Sequence, residues 1–160
     1  MRPALQPGLK HEMRFTVPEN RTVPALYPES SEFSAMPAVF ATGYLVGLLE
    51  WACMQAIAPC LEAPELTLGT HIDVSHRAAT PPGLTVTVNV ELLEVRERRL
   101  RFAVAAHDGV DLISSGHHER TLVERGSFDE RVARKRARVL GGSSAAGRDQ
   151  RPMFSGAMDM

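Results

Sequence analysis

The feature that most limits the fold of this chain is one long apolar segment, residues 39–58, which reads VFATGYLVGLLEWACMQAIA. Apolar residues fall on nearly every face of a helix with this sequence, so the helix should be buried on most sides. Pro59 follows the segment and helps to end the helix there. Glu50, Gln55 and two glycines make the segment a poor lipid-facing span, so we predict that it lies in the core of a folded domain.

Four strand-like segments follow the helix and predict a sheet that packs against it. They cover residues 67–78, 84–95, 99–107 and 110–125, with a Pro-Pro-Gly turn after the first and an Asp-Gly turn before the last. Alternate residues in each segment are predicted to face the helix. In the first segment the residues with this predicted direction are Ile72, Val74, His76 and Ala78.

The order of these elements predicts an α+β fold of the hot-dog kind, in which an antiparallel sheet wraps around one long central helix. A short strand at 13–18 and a proline-rich segment at 22–37, interpreted as a lid, precede the helix. We predict a lead-in over residues 1–12, one domain over 13–140 and a disordered tail over 141–160. Because a lone sheet of this size has an exposed edge strand, we expect a homodimer formed by edge pairing.

Charge and composition narrow the range of partners. The net charge is -1, and the basic segment 128–140 is interpreted as a solvated terminal helix, so neither a nucleic acid nor a membrane is predicted as a partner. The first residues contain no apolar stretch of a secretory signal, which predicts a cytoplasmic protein. Cys53 and Cys60 have no metal-binding spacing, and we interpret them as thiols packed in the core.

Glu50 is the strongest candidate for a chemical role that the residues alone provide. A carboxylate buried without a partner is costly, so its presence in an apolar helix indicates a site unless it lies on a solvated stripe. The local pattern leaves both interpretations open. Gly43 and Gly47 precede Glu50 on the same helix face and predict a groove that a ligand could enter, or a place for close packing against the sheet.

His76 and Thr42 are the next candidates. The strand pattern turns His76 toward the helix, and a second ionisable group facing the same core as Glu50 favours a functional site over a core histidine. Thr42 begins the helical region, where its hydroxyl is either a cap or a group that holds a polar part of a substrate. His117 and His118 are weaker candidates because neighbours in a strand point to opposite faces, and no metal site is predicted from the histidines.

Several long segments resemble the fluoroacetyl-CoA thioesterase family of hot-dog proteins. They are TVPALYPESSEF, VFATGYLVGLLEWACMQAIAP, LGTHIDVSHRAATPPGLTVTV and AHDGVDLISSGHHER, and the resemblance runs over about residues 14–130. The resemblance implies an acyl-CoA thioester hydrolase that works as a homodimer with its sites at the subunit interface. Coenzyme A is then part of the substrate, and no cofactor is expected.

The resemblance also implies roles for individual residues. It assigns the catalytic residues to Thr42, Glu50 and His76, with Glu50 acting either as a nucleophile or as a general base on water. Its substrate-binding positions are Gly69 beside the thioester carbonyl, Arg120, and the lid residues Val23, Leu26, Phe33 and Met36. The fluoroacetyl-specific pattern has phenylalanine where this chain has Met36, which predicts weaker selection of the fluorinated substrate.

Two other functions fit a hot-dog domain. One is a protein that binds or senses acyl-CoA without turning it over, against which Thr42, Glu50 and His76 are the only arguments in the sequence. The other is an enoyl-CoA hydratase, a class that usually pairs an aspartate with a histidine five residues later. No such pair occurs at the start of the predicted helix.

Overall fold

The computed structural model describes residues 4–142 and contains four helices and five strands in that range. The strands are β1 (Lys10–Thr16), β2 (Glu65–Val74), β3 (Thr85–Arg96), β4 (Arg99–His107) and β5 (Leu112–Glu124). The helices are α1 (Val23–Leu26), α2 (Ser31–Ser34), α3 (Thr42–Ile57) and α4 (Arg125–Gly142). None of the described helices is both long and apolar enough to cross a membrane.

The five strands form one antiparallel sheet in the order β1-β3-β4-β5-β2, and α3 packs against it. The predicted α+β arrangement of a sheet around one long helix is confirmed. The sheet ends in two edge strands, β1 and β2, of which β2 follows directly after the helix in the chain. Alternation along β3 and β4 places their apolar residues in the core as predicted. These core residues are Val86, Val88, Val90, Leu92, Leu100, Phe102, Val104 and Ala106.

The helix is less covered than its composition predicted. Seven of its residues are buried against the sheet. Trp51 and Met54, however, are exposed on a stripe that also contains Gly43 and Gly47. An apolar helix face that a single chain leaves open is typical of a surface that packs against another molecule.

Strand β2 differs from its prediction. Ile72 was expected to face the helix, but it is 37% exposed. Thr67 and Gly69 face the helix instead, so the strand alternation places Ile72 on the opposite side of the sheet. The strand also ends at Val74, so His76 lies in the segment after it and not within the strand.

Two further boundaries differ from the predictions. Strand β1 begins at Lys10, within the segment interpreted as a lead-in, because His11 and Lys10 continue the pairing with β3. The lid segment holds the one-turn helices α1 and α2, joined by contact between Tyr27 and Phe33, which agrees with the proline-rich sequence. The predicted disordered tail begins inside α4, and its residues 143–160 lie outside the described residues.

The chain divides into two compact units after Val123. The first contains the sheet, the lid and α3, whereas the second contains α4, which had been predicted to belong to the same domain over residues 13–140. In α4 the apolar side chains Val132, Val139 and Leu140 are exposed among many arginines, in agreement with a solvated helix.

Candidate active site

A buried arginine, Arg120 of β5, organises one end of the candidate site. Its side chain is only 3% exposed, yet the guanidinium makes four hydrogen bonds. Nε donates to the Thr67 hydroxyl over 2.9 Å, and Nη2 donates to the Thr67 carbonyl oxygen over 2.8 Å. Nη1 donates to Glu50 Oε2 over 3.0 Å and faces His118 Nε2 over 3.1 Å. A buried charge is stable only with such partners.

Glu50 is the counter-ion of this arginine. Its side chain is 38% exposed, so the buried member of the ion pair is Arg120 and not the carboxylate that the sequence singled out. Within residues 4–142 the second carboxylate oxygen, Oε1, accepts no hydrogen bond. The structure therefore combines the two earlier interpretations, because Glu50 lies at the solvated edge of the helix and is also held by the core.

Gly69 on β2 gives Glu50 the space that this geometry requires. A Cβ atom built on Gly69 would lie 2.7 Å from Glu50 Oε2 and 3.2 Å from His118 Cε1. Any side chain at this position would therefore displace the carboxylate or the imidazole. This close approach brings Gly69 together with Glu50 and Arg120, the three residues that the sequence assigned to this part of the site.

Thr67 and His118 belong to the same cluster, and sequence reasoning missed both. Strand periodicity could have found them, because His118 is two residues from Arg120 and Thr67 is two residues from Gly69. Each therefore points to the same side of the sheet as a residue already assigned to the site. His118 is buried, in contrast to His117, as expected for adjacent residues of a strand.

Thr42 and His76 form a second group. Thr42 is the first residue of α3, and its Oγ1 lies 2.8 Å from Nδ1 of His76. The Thr42 side chain therefore does not cap the helix, and it bonds to His76 and not to Glu50. Burial lowers the pKa of His76, partly offset by the Ala78 backbone, so the imidazole is neutral at pH 7 and can accept a proton. Its Nε2 is buried without a hydrogen-bond partner among the described residues.

The two groups lie apart on the helix. Thr42 and Glu50 are eight residues apart in α3, which corresponds to about 12 Å along the helix axis. Their side chains therefore do not meet on one carbonyl group within this chain.

The lid packs near the Thr42 end of the helix. Leu26 of α1 contacts Gly43, where a Cβ atom would lie 3.2 Å from Leu26 Cδ2. Phe33 contacts Tyr27, Val23 is half-buried, and Met36 is exposed. The glycine groove predicted on α3 is thus partly filled by the lid.

Two apolar cavities flank the helix on either side of Trp51. The first, about 210 Å³, is lined by Gly43, Gly47 and aromatic residues of the chain. The second, about 320 Å³, extends from Trp51 and Met54 to Thr67, which holds Arg120. Trp51, the residue after Glu50, lines both cavities, so apolar space borders the exposed stripe of the helix on both sides of this residue.

Cys53 is the nearest thiol to this cluster, one helical turn after Glu50. Burial raises the pKa of Cys53 to about 12, although the charge of Arg120 acts in the opposite direction. A thiol with this pKa is almost entirely protonated at neutral pH, and the thiolate is the nucleophilic form. Burial of the protonated Cys53 thiol therefore favours Glu50 over Cys53 as the candidate nucleophile or base at this end of the helix.

The chain matches a known family over most of the first unit. A model of the family described as fluoroacetyl-CoA-specific thioesterase matches residues 19–126. The fluoroacetyl-CoA thioesterase of Streptantibioticus cattleyicolor is 53% identical to this chain over 135 residues, which represent 84% of this chain and 97% of that protein.

Solved structures agree with this match. A threonine-to-serine mutant of the fluoroacetyl-CoA enzyme, solved in complex with acetyl-CoA, has a TM-score of 0.80 and 53% identity, covering 82% of this chain and 98% of the other. A hypothetical protein of Thermus thermophilus from the thioesterase superfamily has a TM-score of 0.77 and 25% identity, covering 88% of this chain and 99% of the other.

The burial of Cys53 makes a prediction about its reactivity. We expect iodoacetamide at pH 8 to modify Cys60, which is partly exposed, and to leave Cys53 unmodified in the folded protein. Peptide mass spectrometry measures both positions, and a Cys60→Ser variant should remain unlabelled until it is denatured. Labelling of Cys53 in the native protein would show that the thiol is accessible and would return it to the candidates.

Proposed function

The chain belongs to the fluoroacetyl-CoA-specific thioesterase family, and we propose that it hydrolyses short acyl-CoA thioesters with Glu50, His76 and Thr42. The observation that supports this most strongly is the fixed carboxylate of Glu50, which the buried Arg120 holds by one oxygen while the other stays free. Both cysteines are free thiols, which agrees with a reducing cytoplasm as the location.

Glu50 can cleave the thioester by either of two routes. In the first, Oε1 bonds to the thioester carbonyl carbon, the carbon–sulfur bond breaks, and water then hydrolyses the resulting anhydride. In the second, the carboxylate takes a proton from a water molecule that attacks the same carbon. Both routes release the carboxylic acid and the free thiol of coenzyme A. Both also require an oxygen that Arg120 does not occupy, which agrees with the single hydrogen bond between these residues.

Thr42 and His76 supply the complementary functions. A neutral His76 can take a proton from the attacking water and, once protonated, can pass a proton to the departing thiolate, and Thr42 determines the orientation of its ring through Nδ1. The amino end of α3, where Thr42 lies, carries a partial positive charge that favours the developing oxyanion. The backbone N–H of Gly69 is the proposed second donor to that oxyanion, a type of contact that lowers the barrier by about 3–4 kcal/mol.

A homodimer resolves the separation between the two groups. If two copies pack with antiparallel α3 helices, Thr42 and His76 of one copy lie opposite Glu50 of the other. The exposed stripe of α3 and the free edge of β2 support this arrangement, because pairing would cover both. We therefore propose two equivalent sites, each built from both copies.

The role of Glu50 predicts the effect of an isosteric change. Glu50→Gln should lower kcat for acetyl-CoA about 10²- to 10⁴-fold, because the amide is neither a nucleophile nor a base. The Gln oxygen can still accept the hydrogen bond from Arg120, so we expect the circular dichroism spectrum to be unchanged. Thiol release is followed with acetyl-CoA, enoyl absorbance is followed separately with an enoyl-CoA, and Glu91→Gln on the outer face of the sheet serves as the control. Parental thiol release by a folded Glu50→Gln protein would exclude this role.

The composite site predicts complementation between inactive variants. Glu50→Gln and His76→Ala proteins should each have little activity alone. After they are unfolded together and refolded, about a quarter of the parental activity should return, since half of the dimers are mixed and each of these has one intact site. A refolded mixture that is as inactive as the two separate variants would show that each site lies within one copy. Mass photometry of the mixture verifies that dimers are present.

The methionine at position 36 leads to a prediction about selectivity between fluoroacetyl-CoA and acetyl-CoA. Apolar packing discriminates weakly between groups of similar size, and a flexible thioether specifies a shape less well than a flat ring. We expect the parent to hydrolyse several short acyl-CoAs, with a weakened preference in kcat/KM for fluoroacetyl-CoA over acetyl-CoA. This preference should increase in Met36→Phe and not in Met36→Leu. Strong fluoroacetyl selectivity in the parent that all three proteins share would show that position 36 does not determine it.

A further inference from the structure

His118 is a fully buried imidazole in the candidate site, and the proposed chemistry does not use it. It lies on β5 opposite Phe102 of β4, with 1% of its surface exposed. The absence of a side chain at Gly69 leaves room for its ring, with Cε1 3.2 Å from where a Cβ atom would lie. A polar ring buried this completely must have its hydrogen bonds satisfied by the protein.

The partners of the ring determine its protonation. Nδ1 lies 2.8 Å from the carbonyl oxygen of His71, which can only accept, so Nδ1 carries the proton. Nε2 lies 3.1 Å from Nη1 of Arg120, which can only donate, so Nε2 is an unprotonated acceptor. The ring is therefore neutral and held in one tautomer.

The electrostatic surroundings agree with a neutral ring. Burial lowers the pKa of His118, and the charge of Arg120 lowers it further. The carbonyl of His71 and the charges of Glu50 and Glu119 act in the opposite direction without reversing the shift.

We propose that His118 is a positioning residue, which fixes the guanidinium of Arg120 and thereby the orientation of Glu50; this inference rests on the proposed thioesterase function. Nη1 of Arg120 has two N–H groups, of which one is donated to Glu50 Oε2 and the other to His118. Nε2 of His118 thus accepts a hydrogen bond from the N–H group that would otherwise have no partner beside the carboxylate. Without this acceptor, the second N–H of Nη1 would be unpaired in the core or would turn to Glu50 Oε1. The oxygen needed for catalysis would then be occupied.

A pair of substitutions separates this role from simple packing. Glutamine can place its side-chain oxygen where Nε2 lies and so keep an acceptor for Arg120. Asparagine can place its amide nitrogen near Nδ1, which keeps the donor to His71 but removes the acceptor. His118→Asn should therefore lower kcat for acetyl-CoA by at least about tenfold, with KM unchanged because His118 does not touch the substrate. His118→Gln should retain most of the parental kcat, and His117→Asn is the control on the neighbouring position.

Nitrogen NMR of the parent protein tests the geometry without an activity measurement. At pH 7 we expect His118 to show a protonated Nδ1 and an unprotonated Nε2. A protonated Nε2, or equal loss or equal retention of kcat in the Asn and Gln variants, would overturn the positioning role. If His118→Asn does not fold, the NMR result alone decides. A parent that releases no thiol from acyl-CoA would instead refute the proposed function, while the NMR result would still report the network.

Discussion

The burial of the Arg120 guanidinium is the constraint on which the rest of this site depends. A charge in the core needs partners on every side, and Arg120 finds them on α3, on β2 and on its own strand. Removing one partner of a buried ion pair typically costs about 3–5 kcal/mol. The same contacts that satisfy Arg120 also tie the helix to the edge strand, so Glu50 has a structural role as well as the proposed chemical one.

This arrangement explains why the site contains Gly69 and Thr67, neither of which has a reactive side chain in the proposed chemistry. Gly69 lets the carboxylate lie directly against the strand, and Thr67 holds the guanidinium by both its hydroxyl and its carbonyl group. Glu50 is then presented at the surface of the helix with one oxygen committed to Arg120. A carboxylate fixed in this way loses little freedom when a substrate arrives, which is the physical meaning of a preorganised site.

Much of the fold was predictable because burial imposes a simple period on the sequence. The inward side chains of β3 and β4 are buried in the core, so the alternation of these strands is clean and places Val88 and Phe102 correctly. Strand β2 lies at the edge, where one side of the strand is not covered by the core. The positions of its apolar residues therefore do not indicate which side of the strand faces the helix, and the direction of Ile72 was predicted wrongly.

The site was predictable only in part, and for a related reason. Glu50 stands out because a charge interrupts an apolar helix, whereas Thr67 and His118 are ordinary residues of a strand until Arg120 is known to lie between them. Their role depends on contacts between residues more than fifty positions apart, such as Thr67 and Arg120. Strand alternation places each residue on the same side of the sheet as Arg120 or Gly69, but it does not show which of these side chains touch. The separation of Thr42 from Glu50 likewise becomes visible only when the helix is placed in three dimensions.

The most direct test of this account is a crystal structure of the Glu50→Gln protein with acetyl-CoA bound. We expect the thioester carbonyl carbon to lie within about 3.5 Å of the side chain at position 50, a near-attack distance, with Arg120 still bound to Thr67. We also expect His76 from the second copy of the chain to approach the same thioester. A thioester bound elsewhere, with the side chain at position 50 facing only Arg120, would show that Glu50 is a structural counter-ion and not the group that cleaves the substrate.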